Sequence, residues 1–288
     1  MMLIQKIFSS CAASVAISLC LMPPTVRAQV DRKSLLDALH FHASFDGSAD
    51  AKVATGDGRV FTADSLERNQ LDPGIKRADV TIAKGAGKYG DCLRFADKAK
   101  PVICYAGDVM HYQPKDWAAT VSMWMRLNPD ADLKPGYCDP LQITQFAWNN
   151  GAFFVDFDKD LPRDFRLGVF SDLKFWNPQN VNWEAWPVDK RPMVTVKKPP
   201  FTRDAWTHVA FTVSGVNDSE SRPGKATLYI NGQSQGTLEQ PLKITWDVDK
   251  AAIMLGIEYI GDIDELMIFR RDLNAEEVKY LYTSPVAL

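Results

Sequence analysis

Apolar residues alternate with polar ones over short stretches for most of the chain, and turn-forming residues separate those stretches. In LHFHASF, Leu39, Phe41, Ala43 and Phe45 fall on one face, the period of a half-buried strand. TVSMWMRL puts Val121, Met123 and Met125 on one side and Ser122, Trp124 and Arg126 on the other. AFFVDFD, FRLGVF, WTHVAFTVSG, ATLYING, QSQGTL, AIMLG and GDIDELMIFR read as further strands. Asn231-Gly232, between two of them, is a strong hairpin signal. The run GDGRVFTADSLERNQLDPGIKRADV is polar and turn-rich, so it reads as loop with short strands. Helix is confined to the ends. DRKSLLDAL predicts a brief lead-in capped by Ser34. Near the C-terminus Asn274 caps a second helix, Glu277 returns the bond, and Leu273 staples onto Val278. Many short strands with almost no helix predict an all-β fold: a two-sheet antiparallel β-sandwich, or jelly roll, with a short C-terminal helix.

Length and the N-terminus set the organisation. The chain has 288 residues, and the first 28 read as a secretory signal. Lys6 supplies the positive start, Ile7 to Met22 the apolar stretch, and Val26-Arg27-Ala28 a small-residue cleavage site. A retained anchor is the alternative, but the apolar stretch is short for a bilayer span. Residues 29–40 form a lead-in and 41–288 a single sandwich domain. The expected address is the cell envelope, the periplasm or the exterior. No other stretch is apolar enough to span a membrane in the mature chain. Net charge is −3 without a basic stripe, which disfavours nucleic acid as a partner.

Cys92, Cys104 and Cys138 remain after the signal. Cys92 and Cys104 lie symmetrically about Lys98 in CLRFADKAKPVIC. If CLRF and VICY pair, the two Cα atoms come about 4.5–5.5 Å apart, within disulfide range. Buried free thiols are the alternative.

WTHVAFTVSG, ATLYINGQSQG, IMLG and YIGDIDELMIFRRDLNAEEVKYLY resemble the closing strands of a laminin-G-like domain of the concanavalin A-like lectin/glucanase superfamily. HASFDGSADA resembles its opening strand, GKYGDCLRF its Gly-rich hairpin, and ATVSMWMRL its central Trp-bearing strand. The markers span about residues 41–283 in the family's order. They speak for fold more than for ligand. The resemblance implies a carbohydrate or glycoprotein partner, with a protein partner also open. It also implies calcium at a loop rim as an optional cofactor, for which Asp46, Asp262 and Asp264 are the candidate ligands. Hydrogen bonds to turn amides are the other use for such carboxylates.

The candidate sugar platform is FSDLKFWNPQNVNWEAWPVDKRP, where Trp176, Trp183 and Trp186 are interleaved with Asn177 and Asn180. Aromatic faces pack on sugar C–H groups while amides bond hydroxyls. The same rings could instead anchor a long loop onto the sandwich. Trp148, with Asn149 and Asn150, is a second candidate. A glucanase would carry Glu-x-Asp-x-(x)-Glu, and none occurs. Asp156 and Asp158, in DFDKD, lie on one strand face with spacing suited to paired carboxyls but no evident partner, and a solvated face is the simpler reading. The expectation is an exported, non-catalytic carbohydrate-binding domain. The alternatives are a protein-interaction or cell-surface module, and a polysaccharide hydrolase or lyase with an unfamiliar site.

Overall fold

The computed structural model describes residues 30–219 and 222–284. The secretory signal expected over residues 1–28 lies outside the described residues. Among the described residues seventeen strands follow in chain order. They are β1 (Leu39–Ala43), β2 (Val53–Ala54), β3 (Phe61–Ala63), β4 (Leu71–Pro73), β5 (Val80–Ala83) and β6 (Cys92–Phe95). Next come β7 (Val102–Ala106), β8 (Trp117–Arg126), β9 (Cys138–Ala147), β10 (Asn150–Phe157), β11 (Phe165–Phe170) and β12 (Met193–Val196). The series closes with β13 (Thr207–Val216), β14 (Gly224–Ile230), β15 (Gln233–Gln240), β16 (Ala252–Ile257) and β17 (Gly261–Phe269).

Two antiparallel sheets result. The nine-stranded sheet runs β15-β14-β13-β8-β17-β1-β2, with β6 paired to β17 and β5 paired to β6. The eight-stranded sheet runs β12-β11-β10-β9-β16-β7-β3-β4. Opening and closing strands pair: Phe41 faces Ile268 and Ala43 faces Leu266. The alternating rows read from sequence meet between the sheets. Phe41, Val121, Met123, Val209, Phe211 and Ile268 pack against Leu141, Ile143, Phe153, Val155, Leu167 and Ile253.

Several strands are buried on both faces, which is why AFFVDF and FRLGVF read as near-continuous apolar runs. The outer face of the nine-stranded sheet is covered by the helices Arg32–Ala38 and Ala275–Thr283, with Leu35, Tyr229, Met267, Val278 and Leu281 in one cluster. The C-terminal helix carries the expected capping box between Asn274 and Glu277. At the other helix the cap is Asp31, not Ser34: the Asp31 side chain accepts from Lys33 N, and Ser34 lies one turn inside. Asn231 and Gly232 take φ of 49° and 71°, the two left-handed residues that a type I′ hairpin requires.

Of the two readings open for Cys92 and Cys104, the structure has the free thiols and not the disulfide. CLRF pairs with β5 and β17, whereas VICY pairs with β16 and β3 in the opposite sheet. The residues between them carry the chain from one sheet to the other instead of closing a hairpin. Both thiols are free and buried. Burial pushes Cys92 up to about 12 and Cys104 up to about 11, so both stay protonated and unreactive.

Candidate functional site

The outer face of the eight-stranded sheet holds a cleft of about 220 Å³. Its floor is built from outward positions of adjacent strands: Asp139 and Gln142 on β9, Phe154 and Asp156 on β10, and Arg166 on β11. Tyr137, Trp148, Trp183 and Leu66 wall it. The register places Asp156 directly opposite Arg166, and the arginine fork closes on it. Nε donates to Oδ1 at 2.9 Å, and Nη2 makes a short parallel bond to Oδ2. Arg166 Nη1 also lies 3.4 Å from Asp158. The guanidinium packs on Tyr137, 5.0 Å from the ring centroid.

Asp156 is therefore not on a solvated face, as DFDKD suggested. It is 3% exposed and sits under the cleft. Asp139 stands beside it. Burial and the neighbouring Asp156 raise the Asp139 carboxyl well above the usual carboxylate range, against the pull of Arg166. Burial also raises Asp156, with the Arg166 bonds opposing. Arg166 opposes the rise of both carboxyls, and its two hydrogen bonds go to Asp156.

Of the expected platform residues, Trp183 reaches the cleft. Trp148, the second candidate, meets it at 5.2 Å, edge to face. Arg191 stacks over the Trp183 ring at 4.3 Å. Trp176 and Trp186 serve the anchoring role instead. Trp176 packs on Phe170 at 5.1 Å and on Trp186 at 5.3 Å, and its Nε1 donates to Asn149 O at 2.8 Å. Asn177 is buried and pins the loop by exchanging bonds with Val181, both at 2.9 Å. Asn180 sits exposed in the turn with φ 50°. Gly168, opposite Phe154 on β11, leaves room for its ring, which a methyl there would overlap.

The three carboxylates expected for calcium do not form a cradle. Asp262 is clamped by Arg94 (2.7 and 3.0 Å) and Arg126 (2.8 and 3.2 Å), so guanidiniums occupy both of its oxygens. Asp46 pairs with Lys52 at 2.8 Å and accepts from Asp91 N at 2.9 Å. Asp264 is fully buried and accepts from Tyr89 N and Glu265 N at 3.1 and 2.9 Å. Calcium needs roughly 6–8 free oxygens, and these residues do not fit it. Among the described residues no three His, Cys, Asp or Glu side chains group to hold a metal.

A two-sheet antiparallel sandwich with an aromatic-walled cleft on one outer face is the class that fold and site define. Residues 110–279 match the Laminin_G_3 family model of the concanavalin A-like lectin/glucanases superfamily. This covers more than half of the chain, which therefore belongs to that family. No curated protein sequence matches the chain. Among solved structures it resembles domain 4 of AbnA, an extracellular arabinanase from Geobacillus stearothermophilus, in complex with arabinotriose. That match has a TM-score of 0.51 and 19% identity, and covers 85% of this chain and 98% of that one. It also resembles the binding domain of Paraclostridial Mosquitocidal Protein 1 (TM-score 0.53, 15% identity, 87% of this chain and 53% of that one). A third is botulinum neurotoxin type C, whose cell entry depends on interaction with two ganglioside molecules (TM-score 0.55, 11% identity, 88% and 53%). The chain thus spans about half the length of the toxin chains, and at these identities the likeness is one of fold.

Proposed function

We propose that this chain is an exported, non-catalytic carbohydrate- or glycoconjugate-binding domain, and that the cleft walled by Trp148 and Trp183 is its sugar site. The observation that carries the reading is the pairing of ring walls with a hydrogen-bonding floor. Tyr137, Trp148 and Trp183 offer apolar surface to sugar C–H groups. Gln142, Asp139 and the Asp156–Arg166 pair offer donors and acceptors already held in place by strands. Family membership and neighbours that include sugar-binding domains support it. Trp148 is 37% exposed, a cost that a bound ring would recover. A glycan array followed by calorimetry tests the proposal. Trp148→Ala and Trp183→Ala should each weaken the best ligand about tenfold to a hundredfold, the usual worth of a stacked ring at a binding centre. Trp176→Ala, by contrast, should act mainly through loop stability. No binding across a broad array would end the proposal.

One observation favours a second reading, a hydrolase or lyase: Asp139 and Asp156 bring two carboxyls together in the cleft. The Arg166 fork counts against it, because it ties up both oxygens of Asp156. Turnover of pooled neutral polysaccharides that disappears in Asp139→Asn would establish catalysis. Absence of turnover, with sugar binding intact, leaves the binding role.

A further inference from the structure

We infer that a second cavity on the same face extends the cleft, so that the site holds the interior of a neutral linear polysaccharide and not a chain end or single sugar; this rests on the carbohydrate reading above. The second cavity measures about 490 Å³ and is lined in part by Phe61, Arg68, Leu71, Gln145, Phe146 and Lys250. Both cavities lie on outward positions of β9 and β16, with Gln142 and Ile257 in the first and Gln145 and Ala252 in the second. The turn Leu66–Arg68 forms the ridge between them. Its position is fixed by Arg68, which donates to Leu66 O, Gln145 O and Lys250 O at 2.5, 2.8 and 3.3 Å and touches Met254 Sδ at 3.3 Å. Arg68 takes φ 55°, an unfavourable conformation for a residue with a side chain, and these bonds hold it there. A ridge pinned in this way is a fixed part of the surface, and a ligand long enough to reach both cavities crosses Leu66.

Apolar exposure follows the same line. Leu66, Tyr137 and Trp148 line the cleft, and Leu71 and Phe146 line the second cavity. They are five of the eleven large apolar side chains exposed among the described residues. Such concentration marks a recognition surface. Charge selects the ligand class. Arg166 is neutralised by Asp156, Arg68 is spent on carbonyls, and Lys250 pairs with Asp247 at 2.8 Å. Asp57, Glu67 and Asp249 also line the second cavity. Among the described residues lining the two cavities, five acidic side chains (Asp139, Asp156, Asp57, Glu67 and Asp249) face three cations that already hold hydrogen-bond or ion-pair partners, which disfavours a uronate or sulfated chain.

The test is calorimetry on the full chain with neutral arabino- and gluco-oligosaccharides graded from disaccharide to octasaccharide. Affinity should rise on the order of a hundredfold once the ligand reaches past the ridge, the low end of what joining two contact regions supplies. Phe146→Ala and Leu71→Ala, both at exposed positions, should each remove much of that gain while disaccharide affinity holds. Disaccharide binding with no dependence on length would overturn the inference and leave the sugar site standing. Tighter binding of a polyuronate than of the neutral series would overturn the ligand class. If no sugar of any length binds, both readings fall.

Discussion

Replacing Arg166 with leucine is expected to destabilise the protein by about 3–5 kcal/mol at neutral pH, the cost of stranding one partner of a buried ion pair. Arg166 and Asp156 are 6% and 3% exposed, so water cannot replace the lost fork. The variant leaves Asp156 and Asp158 without their cation and Asp139 without the one positive neighbour opposing its rise. The deficit should shrink on acidification, because protonated carboxyls need no guanidinium. Urea denaturation of wild type and Arg166→Leu at neutral and acidic pH measures both effects. Exchanging the whole pair, Asp156→Leu with Arg166→Met, should recover most of the loss, because two well-packed apolar groups replace a bond whose desolvation cost nearly cancels its attraction. A loss under about 1 kcal/mol in the single variant would mean that the pair behaves like an exposed one. The picture of a dry, charge-balanced floor would then be wrong. Sugar binding in the double variant separates stability from recognition: a folded protein that no longer binds places the polar floor in the site.

The fold was largely legible in the sequence because a sandwich writes itself in period two. Val121, Met123 and Met125 on β8, and the Asn231-Gly232 turn, need only local geometry to be read. The two cysteines, for which the sequence left disulfide and free thiols open, show where that legibility ends. Two short strands flanking a polar stretch look alike whether the chain turns back or crosses to the other sheet, and only register across the sandwich tells them apart. The site was half legible. The insert announced its rings, but which ring faces a ligand depends on what lies beneath. Phe170 and Asn149 draw Trp176 down, while Trp183 stands beside Trp148 at the cleft. Asp139 and Arg166 are hard to read from the sequence because each is a lone charge in an apolar strand, and the partner of Asp156 is ten residues away across a hairpin. The signal was present: isolated opposite charges within neighbouring apolar runs, Asp156 in AFFVDF and Arg166 in FRLGVF, cannot be buried unless they meet.

The most deeply buried histidine should make the protein sensitive to acid. His208 is fully buried on the outer face of the nine-stranded sheet, with Nε2 2.9 Å from Ser122 Oγ and its ring 5.0 Å from Trp124 and 6.1 Å from Tyr282. Burial, with the Lys88 ammonium nearby, pushes it down to about 3. Above pH ~6.5 both folded and unfolded chains carry it neutral, and its contribution is fully present. As pH falls below that, the unfolded chain takes a proton that the folded one refuses, and stability drains away until the folded value is passed. The loss is on the order of 5 kcal/mol. Asp264 works the other way. Burial raises it to about 8, so its share is present below the unfolded carboxylate range and is lost as pH rises through the folded value. Between these limits the two slopes oppose, and the wild-type profile alone would hide both. His208→Phe keeps a ring between Trp124 and Tyr282 but cannot be protonated. It should cost about 1 kcal/mol at pH 7 for the Ser122 bond, match or exceed wild type by pH 4, and expose the rising stability that Asp264 supplies on acidification. The quantity to measure is the difference between the two denaturation curves at each pH. A difference that stays constant from neutral to pH 4 would mean that His208 is protonated as readily inside the fold as outside it, and that water reaches this face of the sheet.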